Sequence, residues 1–194
     1  MAAQPILTID PTAIETIAFL FEGDEEAIKA DCNGSIAAET ETTTKSKTCG
    51  GQVIKEITKA TRLTVTINAH LPIEVFRRIY GVKQDEKIKP GIYSYGKASK
   101  GENFGMSAEL VDEFEDNSKL IAFLKLTSQN AFTFTIDSTE DEVAMVEIVA
   151  TAYADDLGYW YHEALESELP AGLTKAKWLT NLTVEDIKAT PAVK

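Results

Sequence analysis

The chain has 194 residues, with 19 lysines and arginines against 31 aspartates and glutamates, giving a net charge of −12. That length supports one domain with its own core, and 44% hydrophobic with 26% charged residues excludes a disordered, collagen-like or coiled-coil chain. An acidic chain lacks the cations that release counterions from a phosphate backbone, so it makes a poor DNA grip but a good surface for DNA to slide past.

In chain order, MAAQPILTIDP has neither the basic start nor the apolar core of a secretion signal. No apolar run approaches the ~18 residues of a membrane span. The expectation is cytoplasmic synthesis and no membrane. Thr12 and Glu15 have capping-box spacing, which would start a helix at 13, yet 13–21 is read as a strand. The stretch 31–51 carries Gly near both ends, five Thr between 40 and 48 and almost no apolar residues. It offers a core nothing to bury, so a long loop or mobile arm is predicted.

Strict alternation follows. Leu63, Val65, Ile67, Ala69 and Leu71 oppose Thr64, Thr66, Asn68 and His70. This is the pattern of an antiparallel strand with one wet face. A helix over 72–80 is marked by Pro72 in its first turn and Gly81 at its end, with Ile73, Phe76, Ile79 and Tyr80 on one face. Polar turns at 89–91, 116–118 and 128–130 separate further strands. Residues 92–95 (IYSY) read as a strand. Phe104, Met106, Ala108 and Leu110 face the core, with Ser107 and Glu109 on the wet side. Residues 120–127 (LIAFLKLT) are apolar on both faces, so a strand covered on both sides is expected. Phe132, Phe134 and Ile136 alternate with Thr133, Thr135 and Asp137, and 143–153 alternates through Ala144, Val146, Ile148, Ala150 and Ala152. Thr139 and Glu142 could instead cap a helix at 140, but β-branched content favours a strand. Tyr159, Trp160 and Tyr161 read as a strand with Trp160 facing opposite to the tyrosines. The expected architecture is mainly β: an antiparallel β-sandwich or barrel, one domain over 1–194, with one short flanking helix, an arm at 31–51 and a C-terminal extension over 174–194 ending in a frayed TPAVK.

Sites for chemistry are sparse. Gly91 to Ala98 nearly matches a phosphate-binding loop, but Ala98 stands where a Ser or Thr must reach Mg²⁺, and no helix pattern follows. His162-Glu163-Ala164-Leu165-Glu166 has Glu where a zinc-protease helix needs its second His. His70 and His162 read as two surface histidines, too few for a zinc centre. No G-x-S-x-G elbow occurs, and neither Cys32 nor Cys49 has a His nearby in sequence or belongs to a C-x-x-C pair. Reducing synthesis argues against pairing those cysteines. Asn33-Gly-Ser35 and Asn181-Leu-Thr183 match glycosylation acceptors that matter only on a secretory route. No catalytic residue, metal or cofactor is expected, and the acidic runs at 109–116 and 137–142 read as solvated faces.

LPIEVFRRIYGVK, KPGIYSYGK, ELVDEFEDNSKLIAFLKLTSQNAFTFTIDSTEDEVAMVEIVATA, GYWYHEAL and AKWLTNLT, in that order over 52–185, resemble the major tail proteins, the tail-tube subunits, of long-tailed phages of Gram-positive bacteria. The resemblance implies a non-enzymatic β-sandwich, six copies of which form a ring. Stacked rings make a hollow conduit for genome delivery. DNA passes without specific binding, and partners are further copies and other tail proteins such as tape measure, distal tail and terminator proteins. The location implied is the virion tail, after synthesis in the host cytoplasm. A long loop reaches the next ring, and 31–51 is the candidate: Cys32, Asn33, Thr42, Thr43, Thr44, Lys45 and Cys49. Glu109, Glu113, Glu115, Asp137 and Asp141 are lumen-lining candidates. Tyr159, Trp160, Tyr161 and Trp178 are candidates for contacts between subunits, where aromatics concentrate. A β-sandwich binding carbohydrate or a receptor from the surface of a particle is the alternative that the same residues leave open.

Overall fold

A computed structural model describes residues 11–30, 33–112, 117–129, 132–133 and 145–189. They form one antiparallel sheet of eight strands: β1 (Pro11–Phe21), β2 (Ile28–Ala30), β3 (Asn33–Cys49), β4 (Gln52–Ala69), β5 (Phe104–Asp112), β6 (Ser118–Ser128), β7 (Val146–Ala152) and β8 (His162–Leu165). The order is β2-β1-β5-β6-β7-β4-β3. β6 divides its second edge, pairing Lys119–Ala122 with β8 and Leu126–Ser128 with β7. The sheet curls until β3 comes back beside β1, and the enclosed space is the core.

Alternation builds that core. Ile17, Phe19 and Phe21 of β1, Leu63, Val65, Ile67 and Ala69 of β4, Phe104, Met106 and Ala108 of β5, and Ile148, Ala150 and Ala152 of β7 are all buried. Each large one contributes about 1.5–3 kcal/mol by leaving water. The expected strand over 13–21 is β1, and that over 143–153 is β7.

α1 (Ile73–Tyr80) starts after Pro72 and ends at Gly81, whose left-handed φ of 68° lets its N–H donate back to Arg78. Its buried stripe is Val75, Ile79 and Tyr80, with Phe76 partly covered. The face expected from the sequence is therefore rotated: Ile73 is 62% exposed and Val75 takes the inner place.

The C-terminal extension is a second layer. α2 (Lys175–Asn181) begins at Thr174, whose hydroxyl accepts the Lys177 N–H, and α3 (Val184–Ile187) has a capping box between Thr183 and Asp186. Leu173, Trp178, Leu179 and Leu182 bury the outer face of β6 at Leu120 and Ala122, while Ile121 and Phe123 enter the main core. The doubly apolar 120–127 is thus covered on both sides, as expected. The same layer also covers the β5 face read as wet, burying Ser107 and Glu109.

Three local readings are corrected. Residues 33–49 are a strand, paired with β4 along its whole length, so no long loop is present there. Residues 92–95 follow the turn at 90–91 as irregular chain, with a single bridge between Lys83 and Ser94. Residues 159–161 precede β8 without strand pairing. Most of 131–144 lies outside the described residues. No helix among the described residues is long and apolar enough to cross a membrane.

Candidate functional site

The feature that leaves the body of the protein is the β3–β4 hairpin. β4 pairs with β7 only through Leu63–Ala69, whereas its pairing with β3 continues to Gln52. Every residue from Ala37 to Thr61 is exposed. Beyond Arg62 the two strands form a free ribbon reaching about 30 Å at ~3.4 Å per residue. Its turn is Gly50-Gly51, with φ of 59° and 78°. Two successive positive φ values are what a tight type I′ hairpin demands, and glycine adopts them without strain.

The ribbon has two different faces. Lys45 opposes Ile57, Lys47 opposes Lys55 and Thr43 opposes Lys59, so four lysines and one isoleucine share a face. Thr44, Ser46, Glu56 and Thr58 share the other, where Thr44 and Thr58 exchange a hydroxyl hydrogen bond of 2.9 Å and Ser46 donates to Glu56 at 2.8 Å. No ion pair holds any of the four lysines among the described residues. Lys47 directly across from Lys55 is repulsive in the lone chain. Val53, Ile54 and Ile57 are about half exposed, at 54, 58 and 47%.

The expected arm residues Thr42, Thr43, Thr44, Lys45 and Cys49 lie on this ribbon, with Cys49 an exposed free thiol beside the turn. Asn33 starts β3 at the body, and Cys32 lies outside the described residues. The structure thus gives an arm made of a ribbon. Gly50-Gly51 was the available signal: two glycines between polar, Thr-rich stretches mark a two-residue hairpin.

Among the lumen candidates, Glu109 is corrected. It is 4% exposed, and its carboxylate accepts from Ser118 and Lys175, each at 2.9 Å, inside the protein. The C-terminal layer that buries it could not be placed against β5 from local pattern. The hydrogen bond to Glu109 raises the Lys175 ammonium above the ordinary lysine range, more than burial lowers it. Glu113, Glu115, Asp137 and Asp141 lie outside the described residues.

Of the aromatic candidates, Trp178 is corrected: it is 3% exposed and donates its indole N–H to the Ile121 carbonyl at 3.1 Å, so it serves the chain's own core. Trp160 packs partly against the main core, while Tyr159 and Tyr161 are 61 and 37% exposed. Burial and a hydrogen bond to Glu163 raise the Tyr161 phenol far above its usual range.

His162 is not a plain surface histidine. Its Nε2 lies 2.7 Å from Asp155 Oδ2, and an ionised carboxylate only accepts, so the proton is on Nε2. Asp155 Oδ1 accepts the N–H groups of Leu157 and Tyr159, both at 2.9 Å. Its side chain is 1% exposed. Burial would raise this carboxyl, but the Tyr159 N–H, the His162 ring and the Leu157 N–H together hold it below the ordinary range. The pair clips the β7–β8 connection. Among the described residues no three His, Cys, Asp or Glu side chains gather where they could share a metal.

No family model matches the chain, and no curated protein matches it. Two solved structures resemble it in outline. One is the tube-terminating cap of the anti-feeding prophage, at 11% identity and a TM-score of 0.47 over 84% of this chain and 97% of that one. The other is the six-fold symmetrised anti-feeding prophage baseplate, at 9% identity and a TM-score of 0.44 over the same shares. Neither likeness is close enough to carry a role from those proteins to this chain.

Proposed function

We propose that this chain is a structural subunit that assembles with copies of itself into a phage-type tail tube. Six copies make a ring, rings stack into a conduit, and DNA passes along it without specific binding. Its role is mechanical rather than catalytic, and its other partners are tail proteins that start, measure and end the tube. The observation that carries the reading is the ribbon from Ala37 to Thr61. Ordering a residue costs about 1–2 kcal/mol of backbone entropy, and this ribbon recovers none of it by burial within its own chain. A lone two-stranded hairpin is marginal in water, so its natural place is against another surface. The sequence resemblance over 52–185 agrees, because the subunits it points to reach their neighbours with a long segment. Closed rings also use up sheet edges that would otherwise template uncontrolled pairing.

The test compares the full chain with a variant in which Gly-Gly replaces 43–59, joining the paired Thr42 and Ala60. Sedimentation and negative-stain microscopy should show rings or tubes for the full chain. The shortened variant should unfold as cooperatively and remain monomeric. A full chain that stays monomeric at every concentration, or a shortened one that assembles equally well, overturns the proposal.

A further inference from the structure

A groove of about 670 Å³ opens between the turn that joins β1 to β2, the β5 and β6 strands, and α2 with α3. Leu20, Phe21, Leu126, Trp178 and Leu182 supply apolar wall. Its rim is acidic. Glu22 lines the groove, and Glu25 and Glu26 follow on the same turn, all exposed and without an ion pair among the described residues. The neighbouring charges are already engaged: Asp24 holds Arg78, and Lys125 holds Asp156.

We infer that this groove receives the β3–β4 ribbon of a second copy, with Lys45, Lys47, Lys55 and Lys59 set against Glu22, Glu25 and Glu26. The inference rests on the self-assembly proposed above and names the surface through which it runs. Charge complementarity selects the occupant. On a chain of net −12, the ribbon face is a concentrated cationic patch, and the groove rim is anionic. An acidic partner relieves the Lys47–Lys55 repulsion that the lone ribbon carries. Ile57, which shares the lysine face and is 47% exposed, matches the apolar wall, which a phosphate backbone would leave unused. A nucleic acid would also meet net repulsion from the rest of the molecule. Ribbon and groove are different surfaces, so the contact is heterologous: it leaves one ribbon and one groove free and propagates from copy to copy.

Charge reversal tests it in the full chain. The variant K45E/K47E/K55E/K59E and the variant E22K/E25K/E26K should each raise the concentration needed for assembly at least about ten-fold. Combining all seven changes should restore it; a general effect of net charge would instead make the E22K/E25K/E26K variant, which is less acidic than the wild-type chain of −12, assemble better rather than worse. Circular dichroism checks that each variant is folded. Position is read separately with A27C, at the groove wall, in a chain carrying C32S. Mild oxidation should link the thiol introduced at position 27 of one copy to the native Cys49 of another, in a ladder that C49S abolishes. Assembly that ignores both reversals, or no ladder from assembled A27C, overturns this docking site while leaving self-assembly standing. A wild-type chain that never assembles overturns both. Loss of binding to a labelled DNA duplex in the lysine variant, with assembly unchanged, assigns the lysine face to nucleic acid instead.

Discussion

Two carboxylates buried in this molecule show how residue type alone misleads. Glu109 alternates with apolar neighbours on β5 and reads as a solvent-facing acid, yet Lys175 and Ser118 hold it under the C-terminal layer. Its burial depends on a helix far along the chain, which no local pattern on β5 announces. Replacing Lys175 by Met should destabilise by about 1–3 kcal/mol, because the carboxylate keeps only its neutral partner. K175M/E109Q should recover part of that in urea unfolding. The raised Lys175 pKa means this stability is present at neutral pH and is lost only as pH climbs through and beyond the ordinary lysine value of 10.5. Asp155 has the opposite sign. Its folded pKa is depressed, so its contribution is present above the ordinary value of 3.8 and lost as pH falls through the lower folded value. D155A should cost about 1–3 kcal/mol at neutral pH, by leaving the Leu157 and Tyr159 N–H groups and His162 unserved. The difference from wild type should shrink below about pH 4, as unfolding curves at several pH values would show.

At the scale of elements, burial decided what the sequence revealed. β4, β5 and β7 alternate because a core lies on one side of them, and α1 is bracketed by Pro72 and Gly81 because helix ends have fixed chemical needs. Nothing packs on either face of the ribbon, so residues 37–61 carry no hydrophobic period, and 31–51 reads as a long loop or mobile arm; their strand state comes from pairing alone. The helix face differs from expectation for a related reason: Ile73 sits in the first turn, outside the stretch of α1 that the sheet covers. α1 also anchors the long connection to β5. Arg78 holds Asp24 and Glu102, and the Glu102 N–H donates to the Arg78 carbonyl. Gly101 lies so close that a Cβ there would come within 2.0 Å of the Ile79 carbonyl oxygen. Since that oxygen belongs to helix backbone, it cannot swing aside. G101A should therefore destabilise by more than ~1 kcal/mol and speed amide exchange in 82–103, whereas G96A, with open space around it, should do neither.

For the whole molecule, the charges set two effects of different range against each other. Each copy carries −12, so bringing copies together is opposed over the breadth of the subunit. The ribbon lysines and the groove acids attract only at contact. Salt separates these, since the Debye length falls from ~30 Å at 0.01 M through ~8 Å at 0.15 M to ~3 Å at 1 M. The long-range repulsion should be screened first, and the contact pairs, partly shielded from solvent, should weaken later. Assembly of the full chain should therefore pass through a maximum: poor at ~0.01 M sodium chloride, best near ~0.15 M and poorer again toward 1 M. Sedimentation at fixed protein concentration reads this directly. The rising limb should persist in K45Q/K47Q/K55Q/K59Q, whose repulsion is stronger still, while its falling limb should flatten because the attraction it reports has been removed. A wild-type chain whose assembly climbs steadily to 1 M would show that copies meet through apolar surface alone, with the ribbon lysines serving only to keep an unpaired hairpin soluble.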